Sequence, residues 1–129
     1  MLLQKQTKSL VNGERGNCLA TALASLLSLD VTAVPQFEEM QKHQWKQALR
    51  EWLNSIGRSI EFTKKAPKDY AIGVGRKLCG HLHAIIVKNG ERYFDPSPSN
   101  EFYAENRYYI QVGWQSRLAP KIQCYMEDN

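Results

Sequence analysis

The sequence has no long apolar run and few cysteines. Its longest apolar stretch, residues 23–29, is interrupted by two serines, whereas a membrane-spanning helix needs about 18 consecutive apolar residues. We therefore expect no insertion into a membrane. The three cysteines are an odd number, so at least one thiol would stay unpaired in an oxidising compartment. Because the chain does not begin with a charged segment followed by an apolar one, we expect a reducing, cytoplasmic setting.

The chain also lacks a large excess of charge of one sign, because it has 17 lysines and arginines and 13 acidic residues, which gives a net charge of +4. The basic clusters at residues 64–68 and 76–77 are short, whereas a nucleic-acid interface needs a basic stripe or a patterned helix. We expect no nucleic-acid partner. Repeats, low-complexity segments and linkers are absent too, which predicts a single domain over residues 1–129. A chain of this length can fold without a disulfide or a structural metal.

Apolar spacing divides the chain into a helical first half and a β-rich second half. Residues 1–17 predict an irregular arm, and apolar side chains three and four positions apart then predict a helix from Leu19 to about Asp30. A second helical region carries Phe37 near its start and ends at Gly57, a residue suited to a left-handed cap. Five short β-prone runs follow, at residues 60–62, 70–74, 84–87, 92–94 and 108–112. Helices followed by strands predict an α+β domain with an antiparallel sheet.

Cys18 stands directly after Gly16-Asn17 and directly before the first predicted helix. Its side chain is therefore expected in the first helical turn, where unpaired N–H groups and the helix dipole favour a negative charge. A thiol in that position should ionise readily, and the thiolate is the nucleophilic form. The alternative is that Cys18 is a small buried core residue, as most free cysteines are.

A β-hairpin is predicted around Asn89-Gly90, which stands between two apolar runs. A two-residue turn at this position places His83 and Asp95 on opposite faces of the hairpin. A three-residue loop that also includes Lys88 shifts the register by one residue and brings His83 directly opposite Asp95, with Cβ atoms about 5 Å apart. In that register the carboxylate can orient the imidazole. A cysteine at a helix start and an oriented histidine are the groups that activate a thiol nucleophile.

These motifs, in this order, resemble a family of small phage and prophage proteins. The resemblance runs from about Gln6 to Ser99. It is carried by the segments Gly16-Asn17-Cys18 leading into a Leu/Ala helix, Val34-Pro35-Gln36-Phe37, a Trp-bearing helix, His83-Ala84-Ile85-Ile86-Val87, Asn89-Gly90 and Asp95-Pro96-Ser97-Pro98-Ser99. The family is similar to papain-like cysteine peptidases, particularly to the peptidase domains that cut bacteriocin leaders. The resemblance implies a papain-like fold, in which N-terminal helices pack on a C-terminal antiparallel sheet.

The resemblance also implies a role for each residue of the site. Cys18 would be the nucleophile, His83 the general base and then the general acid, and Asp95 the group that orients His83. Papain-like enzymes use a glutamine six residues before the cysteine as an oxyanion donor, but Asn12 stands at that position in this chain. Gln6, in a Gln-Thr pair that is typical of the phage group, is therefore the first choice for the oxyanion donor, and Asn12 is the second.

The implied activity is peptidase or amidase chemistry through a thioester, in a bacterial or phage-infected cell. The expected partner is a peptide or protein substrate, with a host bacterial protein as a candidate. Two alternatives stay open: a catalytically weak scaffold that binds a host protein, and transfer of the acyl group to an amine. A zinc site is a third, because Cys79, His81 and His83 alternate, although a straight strand spreads them over about 13 Å. We predict no metal and no cofactor.

Overall fold

The fold places helices on one face of an antiparallel sheet. The structure is a computed structural model and describes residues 1–7, 16–98 and 101–115. The helices and strands of these residues are α1 (Cys18–Leu27), α2 (Trp45–Ser55), β1 (Arg58–Thr63), β2 (Tyr70–Arg76), β3 (Leu82–Lys88), β4 (Glu91–Phe94) and β5 (Glu105–Trp114). The strand order is β1-β5-β2-β3-β4, with antiparallel neighbours. The predicted α+β class is confirmed.

α1 is the central helix of the core, and residues 19–25 are all buried. Its two buried hydroxyl groups are satisfied inside the helix, because Thr21 and Ser25 each donate to the carbonyl oxygen four residues earlier, at 2.7 and 2.9 Å. Ser28 ends the helix in the left-handed conformation, with φ at 59°. Since Cys18 is the first residue of this helix, the packing of the core fixes where its side chain lies.

The second predicted helical region is divided in the structure. Phe37–Glu39 form a single 3-10 turn, Met40 is extended with ψ at 161°, and α2 begins only at Trp45. The division places Phe37 in the core. After α2, Gly57 has φ at 81°, which confirms the predicted left-handed cap. Neither α2 nor another helix in the described part of the chain is long and apolar enough to cross a membrane.

Successive side chains along each strand point to opposite faces of the sheet, so the core is divided between these two faces. The helical face carries Ile72, Val74, Ala84, Ile86 and Ile110 against Leu23, Phe37, Leu49 and Leu53. The opposite face carries Ala71, Ile85, Val87 and Tyr109, packed with Tyr103 from the segment before β5. We call it the Tyr103 face. Gly75 faces the ring of Tyr103, because a Cβ atom added at Gly75 would collide with that ring. His83 pairs with Gly75 and therefore also lies on the Tyr103 face.

The hairpin between β3 and β4 has a two-residue turn, so the three-residue loop is wrong. Lys88 pairs with Glu91, and Asn89 and Gly90 have φ at 54° and 84°, as a tight turn of mirror-image type requires. A bulge next to Val87 then shifts the register. This shift runs opposite to that of the predicted loop, because Ile86 pairs with Phe94 and Asp95, one residue beyond β4, comes level with Ile85. The prediction that His83 lies directly opposite Asp95 is therefore wrong, although His83 and Ile85 are on the same face of the hairpin.

Candidate active site

His83 and Asp95 are in direct contact in the folded protein. Nε2 of His83 lies 2.6 Å from Oδ1 of Asp95, and the two residues are only 4% and 1% exposed. His83 is the second residue of β3, and Asp95 directly follows β4. The two strands are neighbours in the sheet, and the register after the bulge puts Asp95 level with Ile85, on the face that carries His83. The imidazole therefore reaches the carboxylate diagonally, across two positions of β3.

The carboxylate of Asp95 is held by further donors on both of its oxygens. Oδ1 also accepts the backbone N–H of Ser97 at 2.8 Å, and Oδ2 accepts the backbone N–H of Phe102 at 2.6 Å. Nζ of Lys5 donates to the carbonyl oxygens of Asp95 and Ser97, each at 3.0 Å. Burial raises the pKa of Asp95, but the hydrogen bonds from His83, Phe102 and Ser97 outweigh it, and the net pKa lies below its ordinary value.

Cys18 reaches β3 at the residue that follows His83. The half-buried thiol accepts hydrogen bonds from the backbone N–H groups of Ala84 and Leu19. An N–H on β3 points either toward β2 or toward the β4 side of the strand, and β4 pairs only with residues 86–88. The N–H of Lys77 donates to the carbonyl of His81, so the hydrogen-bonded pairs of β2 and β3 fall at alternate residues that do not include Ala84. The Ala84 N–H therefore points away from β2, to the part of the edge that β4 leaves uncovered, and the Cys18 sulfur lies at this edge one residue from His83.

The Cys18 thiol is harder to ionise than an ordinary cysteine, so the predicted ready ionisation is wrong. Its pKa is raised from 9.0 to about 12, chiefly by burial and then by the negative charges of Glu38 and Asp95. The N–H groups of Ala84 and Leu19 act in the opposite direction but do not compensate. The prediction failed chiefly because the thiol is buried, and also because another anion occupies the start of the helix.

That anion is the carboxylate of Glu38, from the 3-10 turn Phe37–Glu39. Its Oε2 accepts the N–H of Leu19 at 2.5 Å and the N–H of Ala20 at 3.1 Å. Burial raises the pKa of Glu38, and backbone hydrogen bonds offset this only in part. Sequence analysis missed Glu38, because only the tertiary fold brings it to the start of α1 and no local spacing marks it. The one available signal was its position directly after the Val34–Phe37 segment.

The N-terminal arm joins the segment after β4 to the start of α1. The backbone N–H of Gln6 donates to the carbonyl oxygen of Pro96 at 2.8 Å. Nδ2 of Asn17 donates to Oγ1 of Thr7 at 3.1 Å. Gln6 therefore lies between the two segments that carry the other predicted site residues, and its side-chain oxygen is buried. Asn12, the second predicted oxyanion donor, lies outside the described residues.

The segment considered for zinc is arranged differently from a metal site. Cys79 and His81 are exposed on the turn between β2 and β3, whereas His83 is buried against Asp95. Within residues 1–7, 16–98 and 101–115, no three histidine, cysteine or acidic side chains are grouped so that they could hold a metal ion. Of Cys79, His81 and His83, only His83 contacts Asp95.

Comparison of the chain with family models, with curated proteins and with solved structures gives no match. The functional argument therefore depends on the geometry of the chain itself. In that geometry His83 contacts Asp95. Cys18 contacts Ala84, the residue after His83, and Gln6 contacts Pro96, the residue after Asp95.

Replacing Asp95 with asparagine should weaken the loss of stability in acid. The folded-state pKa of Asp95 lies below its ordinary value of 3.8, so the ionised group stabilises the fold above that value and this contribution is lost as the pH falls through the folded-state pKa. Urea unfolding is measured at neutral pH and at about pH 3. The wild type should lose more free energy of unfolding between the two conditions than Asp95→Asn. Asp69→Asn, at an exposed aspartate, is the control, and equal losses in wild type and Asp95→Asn would contradict the assignment.

Proposed function

We propose that the protein is a cysteine-dependent hydrolase, a peptidase or amidase, with Cys18 as its nucleophile. The observation that carries this proposal is the buried contact between His83 and Asp95 beside the strand edge that the Cys18 sulfur reaches. A nucleophile, a base and a group that orients the base are the three parts that thiol catalysis requires. We extend the proposal to a papain-like arrangement, since α1 begins at Cys18 and packs on an antiparallel sheet.

The contact with Asp95 assigns separate tasks to the two ring nitrogens of His83. Asp95 accepts a hydrogen bond from the N–H at Nε2, so a neutral ring has its lone pair on Nδ1. Nδ1 takes the thiol proton as the Cys18 sulfur attacks the carbonyl carbon of the substrate. It then gives the proton to the leaving amine, which leaves a thioester on Cys18. Water, activated by the same ring, releases the acid and restores the thiol.

The oxyanion formed in each step needs donors near the start of α1. In our proposal these are the backbone N–H of Cys18 and the side-chain amide of Gln6. Gln6 stays our first choice because its backbone N–H donates to the carbonyl of Pro96, next to Asp95. An oxyanion donor typically contributes about 10²- to 10³-fold to turnover.

The turn before His83 supports a peptide or protein as substrate. Leu78 and Leu82 are 95% and 51% exposed. Leu78 lies in the tight turn that is closed by the N–H of Lys77 donating to the carbonyl of His81 at 2.9 Å, and Leu82 directly follows that turn. Exposed apolar side chains at the rim of a site are suited to the side chains of a peptide. A host bacterial protein in a phage-infected cytoplasm remains our candidate partner, on the resemblance of the sequence motifs alone.

One observation favours a second candidate function. The raised pKa of Cys18 would slow thiolate chemistry, which suits a catalytically weak scaffold that binds a host protein. On this alternative, Cys18→Ala leaves binding of the host protein unchanged and no new peptide termini are formed by the wild type.

A peptide library made from a bacterial proteome tests the hydrolase directly. Wild type, Cys18→Ala, His83→Ala and His81→Ala are incubated with the library, and new peptide termini are counted by mass spectrometry. His81 is the matched control, because it is an exposed histidine two positions before His83. We expect the same new termini from wild type and His81→Ala, none from Cys18→Ala, and at least about 10²-fold fewer from His83→Ala, since that is what a general base contributes.

The hydrolase proposal fails if the wild type forms no new termini, or if Cys18→Ala forms the same ones. Addition of a small primary amine to the reaction separates hydrolysis from acyl transfer. A hydrolase gives free acids as its main products in the absence of the amine, whereas an acyltransferase gives amides and depends on the amine.

Gln6→Ala should lower kcat by about 10²- to 10³-fold on any peptide that the library identifies, with a smaller effect on KM, because the oxyanion exists only after attack. Asn12→Ala is measured beside it and should retain wild-type kcat. If Asn12→Ala has the large effect and Gln6→Ala does not, the assignment of the oxyanion donor is reversed.

A further inference from the structure

The thiol of Cys18 and the carboxylate of Glu38 both lie at the start of α1. The N–H of Leu19 donates to Oε2 of Glu38 at 2.5 Å and also lies against the sulfur of Cys18. The N–H of Ala20, in the same turn, donates to Glu38 and does not act on the Cys18 thiol. The helix start, which would stabilise a thiolate, is therefore already occupied by a carboxylate.

The charges that act on Cys18 and Glu38 are negative. Glu38 comes from the 3-10 turn Phe37–Glu39, and its neighbour Glu39 adds a negative charge. Asp95, after β4, acts on Cys18 in the same direction as Glu38. His83 on β3 is the basic group of the site, and its Nε2 is bonded to Asp95.

We propose that Glu38 is a positioning residue that controls the ionisation of Cys18, because its carboxylate occupies the N–H groups of the first turn of α1 and opposes a second negative charge there. The thiol then stays protonated at rest and is ionised only when His83 accepts its proton during attack. This last step depends on the proposed hydrolase function, whereas the control of ionisation does not. The consequence is a nucleophile that resists alkylation and oxidation until a substrate carbonyl is present.

Glu38→Gln separates charge from geometry, because the amide oxygen can still accept both N–H groups. Cys18 labelling is measured by peptide mass spectrometry with two reagents of similar size, neutral iodoacetamide and anionic iodoacetate. Removal of the negative charge should speed labelling with iodoacetamide by about 10-fold, which corresponds to about one pH unit in thiol ionisation. It should speed labelling with iodoacetate further, because the reagent is no longer repelled. Cys79, exposed in the same sample, is the internal reference.

Glu39→Gln is the matched control and should leave both rates within about two-fold of wild type, since this side chain is exposed. If Glu38→Gln does not fold, Glu38→Ala is compared with the same two reagents. Greater exposure of the thiol would raise the iodoacetamide and iodoacetate rates by the same factor, whereas loss of the negative charge raises the iodoacetate rate more than the iodoacetamide rate. Equal factors for the two reagents, or wild-type rates in Glu38→Gln, would overturn the proposal. Because no substrate is needed, the labelling result stands even if the peptide library shows no hydrolysis.

Discussion

The buried carboxylate of Asp95 is the constraint on which the geometry of the site depends. A desolvated carboxylate is costly unless its oxygens are satisfied, and here they accept from His83, Ser97 and Phe102. These donors belong to β3, to the segment after β4 and to the segment before β5. One carboxylate therefore fixes the position of the histidine and of the segment that carries Tyr103.

Two carboxylates act on this site in different ways. Asp95 has a lowered pKa and keeps the His83 ring in one orientation, whereas Glu38 has a raised pKa and holds the first turn of α1. Both negative charges oppose a thiolate on Cys18. Proton transfer to His83 is thus the route that our proposal requires, in contrast to a thiolate that exists before substrate binds.

Local patterns in the sequence predicted the elements, and tertiary contacts decided the details. The spacing of apolar residues predicted α1 and the strands, and Asn89-Gly90 predicted the hairpin. Sequence could not show the bulge at Val87, because a bulge depends on how two strands pack and leaves no local signal. Nor could it show Glu38 at the start of α1, since the electrostatics of Cys18 depend on a residue that only folding brings near. The catalytic roles of Cys18, His83 and Asp95 remain predictions.

The state of the His83 ring tests the central claim most directly. The claim is that Asp95 binds the proton on Nε2 and that Nδ1 faces the thiol of Cys18. ¹⁵N NMR of the imidazole at mildly alkaline pH, on wild type and Cys18→Ala, reports both nitrogens separately. We expect a protonated Nε2 in both proteins and an unprotonated Nδ1 whose chemical shift changes when the thiol is removed. A proton on Nδ1, or an Nδ1 resonance that is identical in the two proteins, would contradict the account.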